Sequence, residues 1–138
     1  SGGAAANVAR RQAAQGDTLA ALLTLRTALH SAALDPELRA LAADILLSRP
    51  ETASEGEVEA FAARVLDPDS PSAWRRWAFV LAQQSRQEQS IAALDRYFKL
   101  EPLAVSSDLD AIRLRAIQVR MLPGGDITQR ALKKEMTR

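Results

Sequence analysis

Apolar residues recur along this chain at the period of an α-helix, in blocks separated by short polar or proline-bearing breaks. The clearest block lies between Ser70 and Pro102. Ser70 is a cap and Pro71 suits the first helical turn, whose N–H groups have no intrahelical acceptor. Trp74, Trp77, Ala78 and Leu81 then form one stripe, the polar run SRQEQS interrupts it, and Ile91, Leu94, Tyr97 or Phe98, and Leu100 form a second. Pro102 ends the run, since proline cannot continue a helix. Two amphipathic helices joined by a short polar turn must lie side by side.

The same pattern appears on either side. AANVARRQAA predicts a first helix from Ala5 to Ala14, frayed because its stripe of Val8, Ala9 and Ala13 is weak. It follows four residues read as a flexible leader or a remnant of cloning. Gly16 breaks this helix, Asp17 caps the next, and Leu19, Leu22, Leu23, Leu25 and Ala28 give its apolar face. Asp35 and Pro36 repeat the entry of cap and proline, and Leu38, Leu41, Ala42 and Ile45 follow. Pro50 stops that helix. Ser54 with Glu57 has the pattern of a capping box and opens a fourth helix bearing Ala60, Ala63 and Leu66. Beyond Pro102, LAVSS reads as a linker and Ser107 with Asp110 as another capping box. The next helix presents Leu109, Ile112, Ala116 and Val119, widened by Leu114, Ile117 and Met121. Pro123, Gly124 and Gly125 form a turn before a short last helix with Ile127, Ala131 and Leu132.

These helices pair into units that repeat in register. Leu25, Ala60 and Leu94 recur at equivalent places, as do Ala28, Ala63 and Tyr97, and as do Pro68 and Pro102. The unit resembles the tetratricopeptide repeat. Trp74 stands where that family favours Trp, Ala78 at its small residue, Ser85 near its turn glycine, Ser90 and Leu94 at the small and large residues of the second helix, and Pro102 at its closing proline. Gly16, Ala21, Leu25 and Ala28 match the corresponding places of the first unit. Trp77, Gln87 and Tyr97 depart from the family pattern. The resemblance implies an all-α fold, a right-handed α-α superhelix of about three helix-turn-helix repeats plus a C-terminal helix pair. It implies a single domain over residues 5–138, with repeats at about 5–34, 35–69 and 70–103 and the terminal pair at 107–137.

Composition narrows the function classes. The chain of 138 residues is 47% hydrophobic but only 4% aromatic, so Ala and Leu carry its core. With a formal net charge of +1 there is no general attraction to nucleic acid or to anionic membrane. No apolar run approaches the roughly twenty residues that span a bilayer, so no direct membrane insertion is expected. Absence of cysteine removes disulfides, thiolate metal sites and a cysteine nucleophile; cytoplasm and periplasm both remain open.

Candidate chemistry is sparse. His30 is the single histidine, with no ligand set or nucleophile beside it in sequence, and reads as a favourable charge late in a helix. Glu51, Glu55, Glu57 and Glu59 read as a solvated turn and helix start. PGGDITQR lacks the Lys and Ser or Thr of a phosphate loop and reads as a turn. Arg75 and Arg76 interleave with Trp74 and Trp77, but both tryptophans share the apolar stripe and read as core rather than as a stacking platform. No enzyme, cofactor or metal site is expected.

The resemblance implies instead an interaction scaffold whose first helices line a concave groove. Carried onto this sequence it points to Asn7 and Arg10, Arg39, and Arg75, Phe79 and Gln83, with Ala6 and Ala43 beside them. The expected partner is a protein or peptide, acidic if the arginines face it, since guanidinium groups clamp carboxylates bidentately. Arg39 and Arg75 should then be replaceable by Glu without loss of helicity. A second reading is a self-assembling homo-oligomer, or a docking module of a larger multi-domain or membrane-associated complex, because both ends look poorly sealed.

Overall fold

The computed structural model describes residues 2–123. Among them the regular elements are helices: α1 (Gly3–Ala14), α2 (Thr18–Ser31), α3 (Pro36–Leu47), a 3₁₀ turn (Pro50–Thr52), α4 (Ala53–Leu66), α5 (Pro71–Gln83), α6 (Gln87–Leu100), the single turn α7 (Ala104–Ser107) and α8 (Leu109–Met121). The chain divides into two compact units, Ser1–Ala73 and Trp74–Arg138.

In the first unit α1 pairs with α2 and α3 with α4. Gly16 ends α1 at φ 82°, and two hydrogen bonds close the turn, Gly16 N–H to Ala13 O at 3.0 Å and Asp17 N–H to Gln12 O at 2.9 Å. That is the Schellman ending, which needs a left-handed residue and so favours glycine. Asp17 then caps α2 by accepting from Ala20 N–H at 3.1 Å, and Asp35 caps α3 by accepting from Glu37 N–H at 2.9 Å. The core is built from small and medium side chains, Ala6, Ala9, Ala21, Leu22, Leu25, Leu38, Ala42 and Leu46. Their size lets the helix axes approach closely. α4 comes close to α3 at Gly56, where a Cβ would stand 2.8 Å from Leu47 Cγ and 2.9 Å from Leu47 N.

Several expectations need correction here. α1 starts at Gly3 rather than Ala5, so Gly3 and Ala4 are helical, and Gly2 before them is buried against Asp35 and Leu38, where a flexible leader was expected. With Ala6 and Ala9 fully buried, α1 is not the frayed helix its weak stripe suggested; alanine adds little to a stripe yet packs well. Leu19 and Leu23 lie exposed at 77% and 67%, because α2 turns Ala21, Leu22 and Leu25 inward. Ser54 does not cap α4. Pro50 initiates a 3₁₀ turn, α4 follows from Ala53, and Thr52 Oγ donates to Leu46 O at 2.6 Å.

The second unit holds α5 from Trp74 onward, with α6, α7 and α8. Ser85 ends α5 at φ 59°, with Ser85 N–H to Ala82 O at 3.0 Å and Arg86 N–H to Leu81 O at 2.9 Å. This reproduces the Gly16 turn bond for bond, two repeats later. Ser90 is fully buried and its Oγ donates to Ala78 O at 2.9 Å, which fixes α6 against α5. Ala78, Leu81, Ala93, Leu94, Tyr97, Ala104 and Ala111 form the core, with Trp74, Trp77, Phe98 and Leu114 packed at its edge. Both tryptophans are thus half-buried and pack against the core.

Past Pro102 the structure again differs from the sequence expectation. LAVSS is not a plain linker: residues 104–107 make one helical turn with Ala104 buried. Asp108, not Ser107, caps α8 by accepting from Ala111 N–H at 3.2 Å, while Ser107 Oγ donates to Leu103 O. The inward face of α8 carries Ala111 and Gln118, whereas Leu109, Ile117, Val119 and Met121 are exposed. The expected last helix, with Ile127, Ala131 and Leu132, lies outside the described residues.

Candidate functional site

The six residues singled out on the first helices occupy three elements, Asn7 and Arg10 on α1, Arg39 on α3, and Arg75, Phe79 and Gln83 on α5. Asn7, Arg10 and Gln83 are exposed, while Arg39, Arg75 and Phe79 are half-buried. Their small neighbours Ala6 and Ala43 are fully buried and present no side chain to a ligand.

Each of the three arginines is held by a carboxylate of the chain itself. Arg10 donates to Asn7 Oδ1 at 3.1 Å and pairs with Glu37 on α3. Arg39 Nη1 lies 3.0 Å from both carboxylate oxygens of Glu59, and its Nε donates to Ala33 O at 3.0 Å. The Arg39 and Glu59 side chains retain only 24% and 15% of their exposure, so this pair does the work of tying α3 to α4 in partial shelter from water. Glu59 is therefore not part of a solvated acidic run. Glu55 likewise takes two bonds from Arg26, at 2.9 and 3.2 Å.

Arg75 is the most heavily engaged. Its Nε lies 2.6 Å from Asp108 Oδ2 and its Nη2 3.1 Å from Oδ1, a two-point fork on one carboxylate. Tyr97 Oη donates to the same Oδ2 at 2.6 Å. Asp108 thus gathers the Arg75 guanidinium, the Tyr97 hydroxyl and the Ala111 amide. Those bonds, led by Arg75, hold its carboxyl far below the usual carboxylate range against the opposing effect of burial. Arg75 is pushed up from its ordinary value mainly by the Asp108 bond. Tyr97 is pushed up by burial first and then by its bond to the carboxylate. On its other side the Arg75 guanidinium lies 4.8 Å from the centre of the Phe79 ring, a cation–π distance.

The structure therefore brings together Arg10 with Asn7, and Arg75 with Phe79. It adds four residues that the sequence reading of the site passed over: Glu37, Glu59, Tyr97 and Asp108. The unusual Tyr97 was a signal, since a tyrosine at a small-residue position needs a place for its hydroxyl. Replacing Arg39 and Arg75 by Glu would set like charges against Glu59 and Asp108, so that double change does not leave the helices undisturbed. Elsewhere in the first unit a cleft of about 720 Å³ opens beside the start of α1, lined by Ala4, Ala5, Leu23, Thr27 and Ser31; it includes none of the six.

No protein-family model and no curated relative matches the sequence. Solved structures do. The first TPR domain of Spaghetti (RPAP3), bound to the HSP90 peptide SRMEEVD, superposes with a TM-score of 0.74 at 16% identity, over 86% of this chain and 90% of that one. The Yersinia enterocolitica type III secretion chaperone SycD, in complex with a peptide of the translocator YopD, gives 0.70 at 12% identity over 83% and 88%. A structure of SycD as translocator chaperone gives 0.64 at 12% identity over 94% and 86%. The all-α fold of this chain is that of tetratricopeptide-repeat domains.

Proposed function

We propose that the chain is a non-catalytic scaffold that binds a peptide or helix of a protein partner along its first helices. Asn7, Arg10, Arg39, Arg75, Phe79 and Gln83 stand on the binding side. The reading is supported by one observation above others: two solved domains of this fold carry bound peptides, one of HSP90 and one of YopD. Half-buried Arg39 and Arg75 serve as fixed positive and aromatic-backed surfaces, their geometry set by Glu59 and Asp108. Asn7, Arg10 and Gln83 supply exposed donors and acceptors. A scaffold whose side chains are already ordered loses little entropy when a ligand arrives.

The test selects binders from a random peptide library on the full chain and measures each by fluorescence anisotropy against the variant N7A/R10E/Q83E. All three positions are exposed and the Arg10 pair with Glu37 is open to solvent, so its loss costs little, and an unchanged circular dichroism spectrum confirms that the variant is folded. Affinity is expected to drop at least tenfold for most selected peptides. Affinities equal to those of the parent chain for every peptide would remove the first helices from the binding surface.

A further inference from the structure

The helix α8 sits on the second unit with its polarity reversed. Its inward side carries Asp108, Arg115 and the buried Gln118, whose Oε1 has no hydrogen-bond partner among the described residues. Arg115 reaches Asp95 on α6 at 2.7 Å. The apolar residues of α8 that join the core of the unit are Ala111 and Leu114. Outward, at spacings of four, four and four, run Leu109, Arg113, Ile117 and Met121, with Arg120 beside the last. The three apolar members are 56%, 44% and 55% exposed. The segment before α8 adds exposed Leu103 and Val105. A soluble helix normally turns such a stripe inward.

The charges on the stripe identify what would cover it. Arg113 and Arg120 are exposed and carry no ion pair among the described residues, whereas Arg10, Arg26, Arg39, Arg75 and Arg115 each hold a carboxylate. Asp110 lies close enough to Arg75 to raise its pKa, so its charge is partly answered inside the unit. Arg113 and Arg120 are two turns apart, about 10 Å along the helix. From this charge complementarity we propose that α8 is a docking surface for an acidic amphipathic helix of a partner protein. Such a helix sets apolar residues against Leu109, Ile117 and Met121 and carboxylates seven residues apart against the two arginines. The apolar contact supplies most of the affinity, and the charges select the partner. A second copy of α8 fits less well, because it would bring two more arginines to the same face. This surface is independent of the first-helix reading.

The test uses the full chain and two labelled amphipathic peptides of identical leucine pattern, one flanked by Glu and one by Lys. The Glu peptide should bind at least tenfold more tightly. R113E/R120E should lose that binding and favour the Lys peptide, and Leu109→Ala with Ile117→Ala should weaken both. Circular dichroism confirms folding, since all four positions are exposed or solvent-facing. A photo-crosslinker placed at position 117 reports the occupant. Crosslinks to the Glu peptide support the proposal. Equal affinity for the two peptides, unchanged binding by R113E/R120E, crosslinks to a second copy, or crosslinks to residues 124–138 of the same chain would each overturn it.

Discussion

Two single residues mark where the repeat is held to close tolerance. At Gly56 an added methyl would lie under 3 Å from both the backbone and the side chain of Leu47. Because backbone on the α3 side cannot give way, Gly56→Ala is expected to cost about 2 kcal/mol, the usual range for overpacking, visible as a lower urea midpoint. Ala21 and Ser90 occupy the equivalent places on α2 and α6 and are both fully buried, so all three second helices use a small residue at the crossing. Ser85 tells the opposite story. It adopts the left-handed conformation that Gly16 adopts in the first unit, but pays for a Cβ there. Ser85→Gly should therefore stabilise the chain by about 0.5 kcal/mol, the left-handed penalty less the extra chain entropy of glycine. Thermal unfolding would register it as a small rise in Tm.

At the scale of elements, the join between α8 and the rest of its unit depends on Asp108. Asp108→Ala removes a cap, a two-point ion pair and the acceptor for Tyr97, and is expected to cost about 2 kcal/mol, with faster amide exchange in α8 first. The pH dependence has a definite sign. The folded-state pKa of Asp108 is depressed, so its contribution is full above the unfolded value near 4 and is lost as pH falls below about 4. Asp108→Asn should flatten that part of the acid-unfolding curve. The helices themselves were legible in the sequence because caps and prolines punctuate them: Asp17, Asp35, Ser70 and Pro71 act where they were expected. What the sequence hid was rotation. In α2 and α8 nearly every turn offers an apolar residue on more than one side, so periodicity alone could not choose the face, and neighbouring helices chose it instead.

For the whole molecule, the fold was readable from recurrence, since three units in register leave few alternatives, whereas the candidate site was readable only as positions. Arg39 and Arg75 were identifiable together because the repeat places them alike, while Arg10 stands one turn further along its helix, at the place that Ala43 and Phe79 take in the later units. Their carboxylate partners come from elements 20 to 33 residues away, at distances a periodic pattern does not encode. The two cores have nearly the same makeup in one respect, a predominance of alanine: Ala6, Ala9, Ala21 and Ala42 in one, Ala78, Ala93, Ala104 and Ala111 in the other. Alanine buries little area, so each core relies on close helix approach rather than on bulk. Enlarging Ala78 or Ala21 to Leu should accordingly unfold the local hairpin rather than fill a space, by 1 to 3 kcal/mol or more on the usual scale of about that size for an overpacked core, and a loss of cooperativity in urea would report it.

The fork between Arg75 and Asp108 makes the chain its own competitor. An incoming acid that seeks the forked edge of Arg75, Nε and Nη2, meets a seat already taken, and can settle there only by evicting the tenant. Eviction also strips α8 of its cap, so arrival of the guest should be felt as a quickened exchange of the Ala111 amide. A guest that leaves that proton undisturbed has found its footing elsewhere.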